Sequence, residues 1–210
     1  MVELLISKGA NLIEKTDRGN TSLHTAARYG RTEILGLFIA KGVNVNSKNN
    51  FGWMPLTLAL SFNNAETADL LHRHGGNSGA TDSILIAVAV GNIEVLKQHF
   101  DAGVDVNSKD IIGRTALDHS AYFGRKQIAE LLIDKGADVN AMNKYNQTPL
   151  HSAAKGGHIG VAELLIAKGA NVNSKDNRAK TTLDYAFRFK RSETADLLRK
   201  HGGKTGEELK

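Results

Sequence analysis

The stretch Gln147-Thr148-Pro149-Leu150-His151-Ser152-Ala153-Ala154-Lys155-Gly156-Gly157-His158 recurs along the chain in altered copies, and that recurrence limits the available folds more than any other property. Counting back from Thr148 by about 33 residues reaches Thr115-Ala116-Leu117-Asp118, then Asp82-Ser83-Ile84-Leu85. Counting forward reaches Thr181-Thr182-Leu183-Asp184. Thr21-Ser22-Leu23-His24 and Met54-Pro55-Leu56-Thr57 stand one such step apart.

Each copy encodes two short helices. The Thr148 hydroxyl can accept from a free N–H of the first turn, and Pro149 suits the first helical position, where its missing donor costs nothing. Leu150, Ala153 and Ala154 supply a narrow apolar face, and Gly157 a left-handed stop. A second helix opens after His158, with Val161, Ala162, Leu164 and Leu165 at helical spacing and Leu164 expected in the core. Helices this short cannot bury their faces alone, so each unit needs copies on either side. The fold expected is an all-α repeat solenoid.

Two further motifs agree with the repeat. A Gly precedes the helix start by two residues at Gly19, Gly52 and Gly113. Gly42-Val43-Asn44-Val45-Asn46, Ala137-Asp138-Val139-Asn140 and Ala170-Asn171-Val172-Asn173 follow each Lys-Gly. With these motifs the chain resembles the ankyrin-repeat family from roughly Met1 to Gly203. The resemblance implies helix–turn–helix pairs joined by β-hairpin fingers.

The repeats divide the chain unevenly. Residues 1–20 align with the second helix and finger of a repeat that lacks its first helix. Either an array continues upstream or an end tolerates partial exposure. Residues 21–76 hold the first two full repeats, and residues 77–82 form a shortened junction. Gly75 precedes Asp82 by seven residues, whereas Gly42 precedes Met54 by twelve. The endings Ala65-Glu66-Thr67-Ala68-Asp69-Leu70-Leu71 and Ser192-Glu193-Thr194-Ala195-Asp196-Leu197-Leu198 are nearly the same words. The junction therefore reads either as a seam between two arrays or as one array with a loop deletion. Residues 83–203 carry four further repeats, the last a charged C-terminal cap, and residues 204–210 a polar tail expected to fray.

Composition removes whole function classes. There is no Cys, which excludes disulfides and thiolate catalysis and fits a reducing, cytoplasmic setting. No apolar run spans a bilayer, so no membrane partner is expected. The net charge of +5 is spread along the repeats, without a basic helix or aromatic groove of nucleic-acid-binding type. Asp118-His119-Ser120 spells the letters of a catalytic triad, but consecutive helix residues point about 100° apart and cannot align. His24 and His151 occupy a slot where the resemblance makes the imidazole a strut between neighbours, and Asp118 and Asp184 occupy the same slot. His72 and His74 have no evident third ligand. The glycines fall at repeat stops and form no phosphate loop, so neither a cofactor nor a metal is expected. Asn46, Asn107, Asn140 and Asn173 fall in turns, where the side chain is expected to bond local backbone.

The resemblance places the partner-binding residues on the concave face, at the finger and just before the mid-repeat Gly. Those positions are Arg28, Tyr29, Phe51, Trp53, Phe62, Ile112, Arg114, Tyr122, Phe123, Lys144, Tyr145, Lys155, Arg178, Arg188 and Phe189. Of the chain's twelve aromatic residues, eight lie on that ladder, and aromatic and Arg side chains dominate binding hot spots. Packing filler between fingers is the competing role. The function expected is a monomeric, non-catalytic protein–protein interaction scaffold that binds another protein through the concave face. The alternative is an adaptor fragment of a larger enzyme or effector whose catalytic part lies elsewhere.

Overall fold

A computed structural model describes residues 11–79, 83–110 and 112–210. The unpaired helix expected at Met1–Gly9 and the end of the junction at residues 80–82 lie outside them. The chain divides into two compact units, residues 1–92 and 93–210. Among the described residues there are only helices and turns, with one isolated antiparallel bridge between Lys175 and Thr181.

The first unit holds α1 (Ser22–Arg28), α2 (Thr32–Ala40), α3 (Pro55–Ser61), α4 (Ala65–Arg73) and α5 (Ile84–Val90). α3 packs between α1 and α5. Leu23, Ala26, Ala27, Leu35, Phe38, Leu56, Ala59 and Leu71 close its core. The cap of α5 is Ser83, whose Oγ accepts from the Leu85 N–H at 3.2 Å. The repeat therefore starts one residue later than Asp82.

The second unit holds α6 (Ile93–Asp101), α7 (Ala116–Phe123), α8 (Lys126–Asp134), α9 (Pro149–Gly156), α10 (Ile159–Ala167), α11 (Thr182–Arg188) and α12 (Ser192–Lys200). α9 lies between α7 and α11, and α10 between α8 and α12. Leu117, Leu150 and Leu183 repeat in one layer and Leu132, Leu165 and Leu198 in the other, all fully buried. Leu165, not Leu164, is the core residue of α10. Leu164 is only half-buried, because α10 is apolar nearly all round and its spacing alone does not choose the inward side.

Helices of seven to nine residues are about 10–14 Å long and marginal by themselves. Hydrogen bonds between repeats supplement the apolar contacts. Each turn asparagine reaches into the following repeat rather than its own turn. Asn107 donates through Nδ2 to the Gly136 carbonyl (3.2 Å) and accepts at Oδ1 from the Asp138 N–H (2.9 Å). Asn46, Asn140 and Asn173 do the same toward Gly75 and Asn77, Gly169 and Asn171, and Gly202 and Lys204. At about 1 kcal/mol net per bond, this ladder is a stacking device. Its expected local role is corrected accordingly.

The tail after Gly203 is docked rather than frayed. The Gly206 N–H donates to Asp184 Oδ2 at 2.7 Å, and Arg199 meets Glu208 through two nitrogens at 2.8 and 3.0 Å. Among the described residues the fingers are tight hairpin turns that pair too briefly to form strands.

Candidate functional site

Four fingers are built on one Asn or Asp five residues before the helix cap; in the first finger Thr16 holds that place, and its Oγ1 accepts from the Asn20 N–H at 3.2 Å. Asn49 Oδ1 accepts from the N–H groups of Phe51 (2.9 Å) and Trp53 (3.0 Å). Asp110 does so for Ile112 and Arg114, Asn143 for Tyr145 and Gln147, and Asp176 for Arg178 and Lys180, all between 2.8 and 3.1 Å. The residues assigned to recognition thus project from a tip whose backbone is held by a side chain. Sequence reasoning missed these holders, although an Asn or Asp at constant distance before the helix start was there to be read. The turn also needs one residue at positive φ. Gly19, Gly52 and Gly113 supply it at 74–82°, and Asn146 and Ala179 are driven into the same region at 56°.

Behind the fingers, the Thr-x-x-His slot ties two of the tips, at Trp53 and Lys180, to the preceding first helix. The Thr21 N–H donates to His24 Nδ1 (3.2 Å), which leaves the proton of the neutral ring on Nε2 to donate to the Trp53 carbonyl (3.1 Å). His151 repeats this with Thr148 (3.1 Å) and Lys180 (3.3 Å). Burial depresses both imidazoles, against the partial support of those carbonyls, so both work as neutral struts. They are not acid–base groups facing solvent.

The exposed ends of the first helices add the other half of the face. In the first unit the Arg28 guanidinium lies 4.5 Å from the Phe62 ring centroid and 5.8 Å from Tyr29. Tyr29 is 62 % exposed, and Phe51 and Trp53 are half-buried. In the second unit the Lys155 ammonium sits over two rings, 5.3 Å from Tyr122 and 5.4 Å from Phe189, and Arg188 lies 5.7 Å from Phe189. Lys144, Tyr145, Arg178 and Arg188 are exposed and Ile112 half-buried. Ile111 lies outside the described residues.

Two assigned residues are placed differently from an open anchor. Phe123 is only 8 % exposed, with its ring edge-on to Tyr122 at 5.0 Å. It packs inward and leaves Tyr122 on the surface. Arg114 is clamped by Asp110 through Nε (2.8 Å) and a terminal nitrogen (2.7 Å).

The Asp118-His119-Ser120 run performs no triad chemistry. His119 Nε2 meets Asp110 Oδ2 at 3.3 Å, and Ser120 Oγ donates to the Leu117 carbonyl at 2.8 Å. Burial would raise Asp110, but hydrogen bonds from His119 and Arg114 hold its carboxyl well below the usual range. Asp118 is different. Burial pushes it up to about 6 despite two bonds from Thr115, and its Oδ1 is buried with no hydrogen-bond partner. Among the described residues no group of three or more His, Asp or Glu is placed to hold a metal ion. No helix there is long and apolar enough to cross a membrane.

Comparison with known proteins agrees with this geometry. A family model described as ankyrin repeats in three copies matches residues 1–82 and 84–176. Neurogenic locus notch homolog protein 1 of Xenopus laevis is 29 % identical over 140 residues, covering 63 % of this chain and 6 % of that protein. Its Homo sapiens counterpart is 29 % identical over 135 residues, covering 61 % of this chain and 5 % of that protein. The transient receptor potential cation channel subfamily A member 1 homolog of Caenorhabditis elegans is 30 % identical over 126 residues, covering 58 % and 10 %. The chain thus spans a tenth or less of the length of these relatives. Ankyrin repeats generally mediate protein–protein interaction and are generally non-catalytic. With its two-helix repeats, capped helix starts and inter-repeat ladders, this chain belongs to the ankyrin-repeat family.

Proposed function

We propose that the protein is a non-catalytic scaffold that binds another protein on the concave face, formed by its finger tips and first-helix ends. One observation carries this reading. Side chains of hot-spot type, with Tyr29 62 % and Tyr145 52 % exposed, stand on tips and helix ends whose backbone is already fixed by buried Asx and His groups. A prearranged face loses little conformational freedom on binding, which is where association is otherwise expensive. Monomeric state and a cytoplasmic setting belong to the same proposal, and light scattering and cell fractionation check them.

A second reading has its own support. The relatives match over a tenth or less of their length, which favours an adaptor part of a larger protein. The two readings share the binding face.

The test is kinetic. A partner captured from the source cell is immobilised, and association and dissociation are measured at two salt concentrations. Trp53→Ala is expected to speed dissociation. Arg178→Ala with Arg188→Ala is expected to slow association and flatten its salt dependence, because exposed charge acts mainly on encounter and buried anchors on residence. Normal kinetics in both variants would move the partner to another surface.

A further inference from the structure

We infer that, within the second unit, the face around Lys155 takes an extended acidic segment of a partner protein. This rests on the protein-binding reading above and adds the chemistry of the ligand. The rings that could have offered an apolar landing, Tyr122 and Phe189, carry the Lys155 ammonium between them, and Arg188 lies against the second. What that surface presents outward is positive charge with its geometry fixed by aromatic faces. A cation held this way keeps its charge while losing rotamer freedom.

The finger tips extend the same sign of charge. Arg178, Lys180 and Lys144 are exposed. The acidic residues beside them are consumed inside the fold. Asp176 spends Oδ1 on the Arg178 and Lys180 N–H groups and Oδ2 on the Tyr185 hydroxyl, which donates at 2.8 Å. Asp184 spends Oδ2 on Thr181 and on Gly206 of the docked tail. Those hydrogen bonds overcome the effect of burial, so both carboxyls lie below their ordinary range. They stay charged, but as structural acceptors turned inward. Lys180 lies at a long 3.9 Å from Asp184 Oδ1.

A nucleic acid would also be attracted by the charge. Single strands, however, bind by stacking bases on open aromatic faces, and here cations lie over the Tyr122 and Phe189 faces. Carboxylates need only the charge and its hydrogen-bond donors. The geometry therefore favours Glu- and Asp-rich protein over single-stranded DNA or RNA.

The test uses the full chain and three fluorescein-labelled probes. The first is an unstructured peptide of about twelve residues rich in Glu, roughly 40 Å when extended. The second is its Gln counterpart, and the third a thymidine oligonucleotide of similar span. Anisotropy titrations at low and moderate salt are run on wild type and on Lys155→Gln with Arg188→Gln, with melting curves to show that the variant folds. Expected are binding of the Glu peptide, at least tenfold weaker binding of the Gln peptide, and at least a tenfold loss for the Glu peptide in the variant. Equal binding of Glu and Gln peptides, lost in the variant, would overturn the acidic chemistry and leave the face in use. Glu-peptide binding undiminished in the variant would overturn the face itself. Tighter binding of the oligonucleotide than of the Glu peptide would assign the patch to nucleic acid and overturn the proposal.

Discussion

Asp118 stands where His24 and His151 reach across to the next finger, but its shorter carboxyl leaves Oδ1 buried without a partner. Its pKa is raised from 3.8 to about 6 in the fold, so between those values the folded chain holds a proton that the unfolded chain has released. The contribution is fully present below the unfolded value and lost as pH rises through the folded one. It amounts to roughly 3 kcal/mol at most, at about 1.4 kcal/mol per unit. Neighbouring groups complicate the raw profile. The depressed imidazoles of His119 and His151 cost stability as pH falls below their unfolded value, and Asp110 loses its contribution below the ordinary carboxylate range. Subtraction isolates the residue. In urea titrations from pH 4 to pH 7, Asp118→Asn is expected to gain on wild type steadily through about pH 4–6 and then run parallel. A flat difference would mean that Asp118 is ionised throughout. At this scale the strut role of His24 and His151 came from the family resemblance that the Thr-x-x-His motif carries, not from its spacing alone. The holders Asn49, Asp110, Asn143 and Asp176 were overlooked, because Asx residues are common in turns and only their constant offset marks them.

At the scale of the element, the repeat period gave the helices and their order, but not which side of an all-apolar helix faces inward. Leu165 is fully buried and Leu164 half-buried. Leu165→Ala is therefore expected to cost about 2–5 kcal/mol, the range for core Leu truncations, and Leu164→Ala clearly less. Denaturant midpoints of the two variants decide the register, and equal loss would contradict it. The fingers offer a gain. Ala179 sits at φ +56° where three other fingers place Gly and one Asn. A left-handed non-Gly residue costs about 1–2 kcal/mol, and Gly gives back roughly 0.5–1 through the freer unfolded chain. Ala179→Gly should raise stability by a few tenths to about 1 kcal/mol, seen as a higher midpoint. A lowered midpoint would show that the turn is unstrained. The Asn ladder was legible as a recurring residue but not as a bond between repeats, because its partners lie about one period away, at Gly75, Gly136, Gly169 and Gly202.

For the whole molecule, stability in a repeat array is a sum of repeat and neighbour terms, so unequal junctions allow unequal opening. We place the weakest junction in the shortened segment at residues 77–82, where the finger loses its tip. Native-state hydrogen exchange is expected to show residues 21–74 and 84–203 as two blocks with different opening energies. A single cooperative block would mean that the deletion is harmless. The division into compact units at residues 92 and 93 sets an alternative edge that the same exchange map would reveal. The basic and aromatic residues proposed for the face were named through the family resemblance. The inward turn of Phe123 and the clamping of Arg114 were not legible, because both depend on neighbours, Tyr122 and Asp110, that spacing cannot orient. The central claim is that partners dock on the finger tips and first-helix ends, and amide exchange of the free and partner-bound chain tests it most directly. Protection is expected at residues 49–53, 112–114, 143–147 and 176–180 and at the C-terminal turns of α1, α3, α7, α9 and α11. Protection confined to the second helices α2, α4, α8, α10 and α12 would contradict the account.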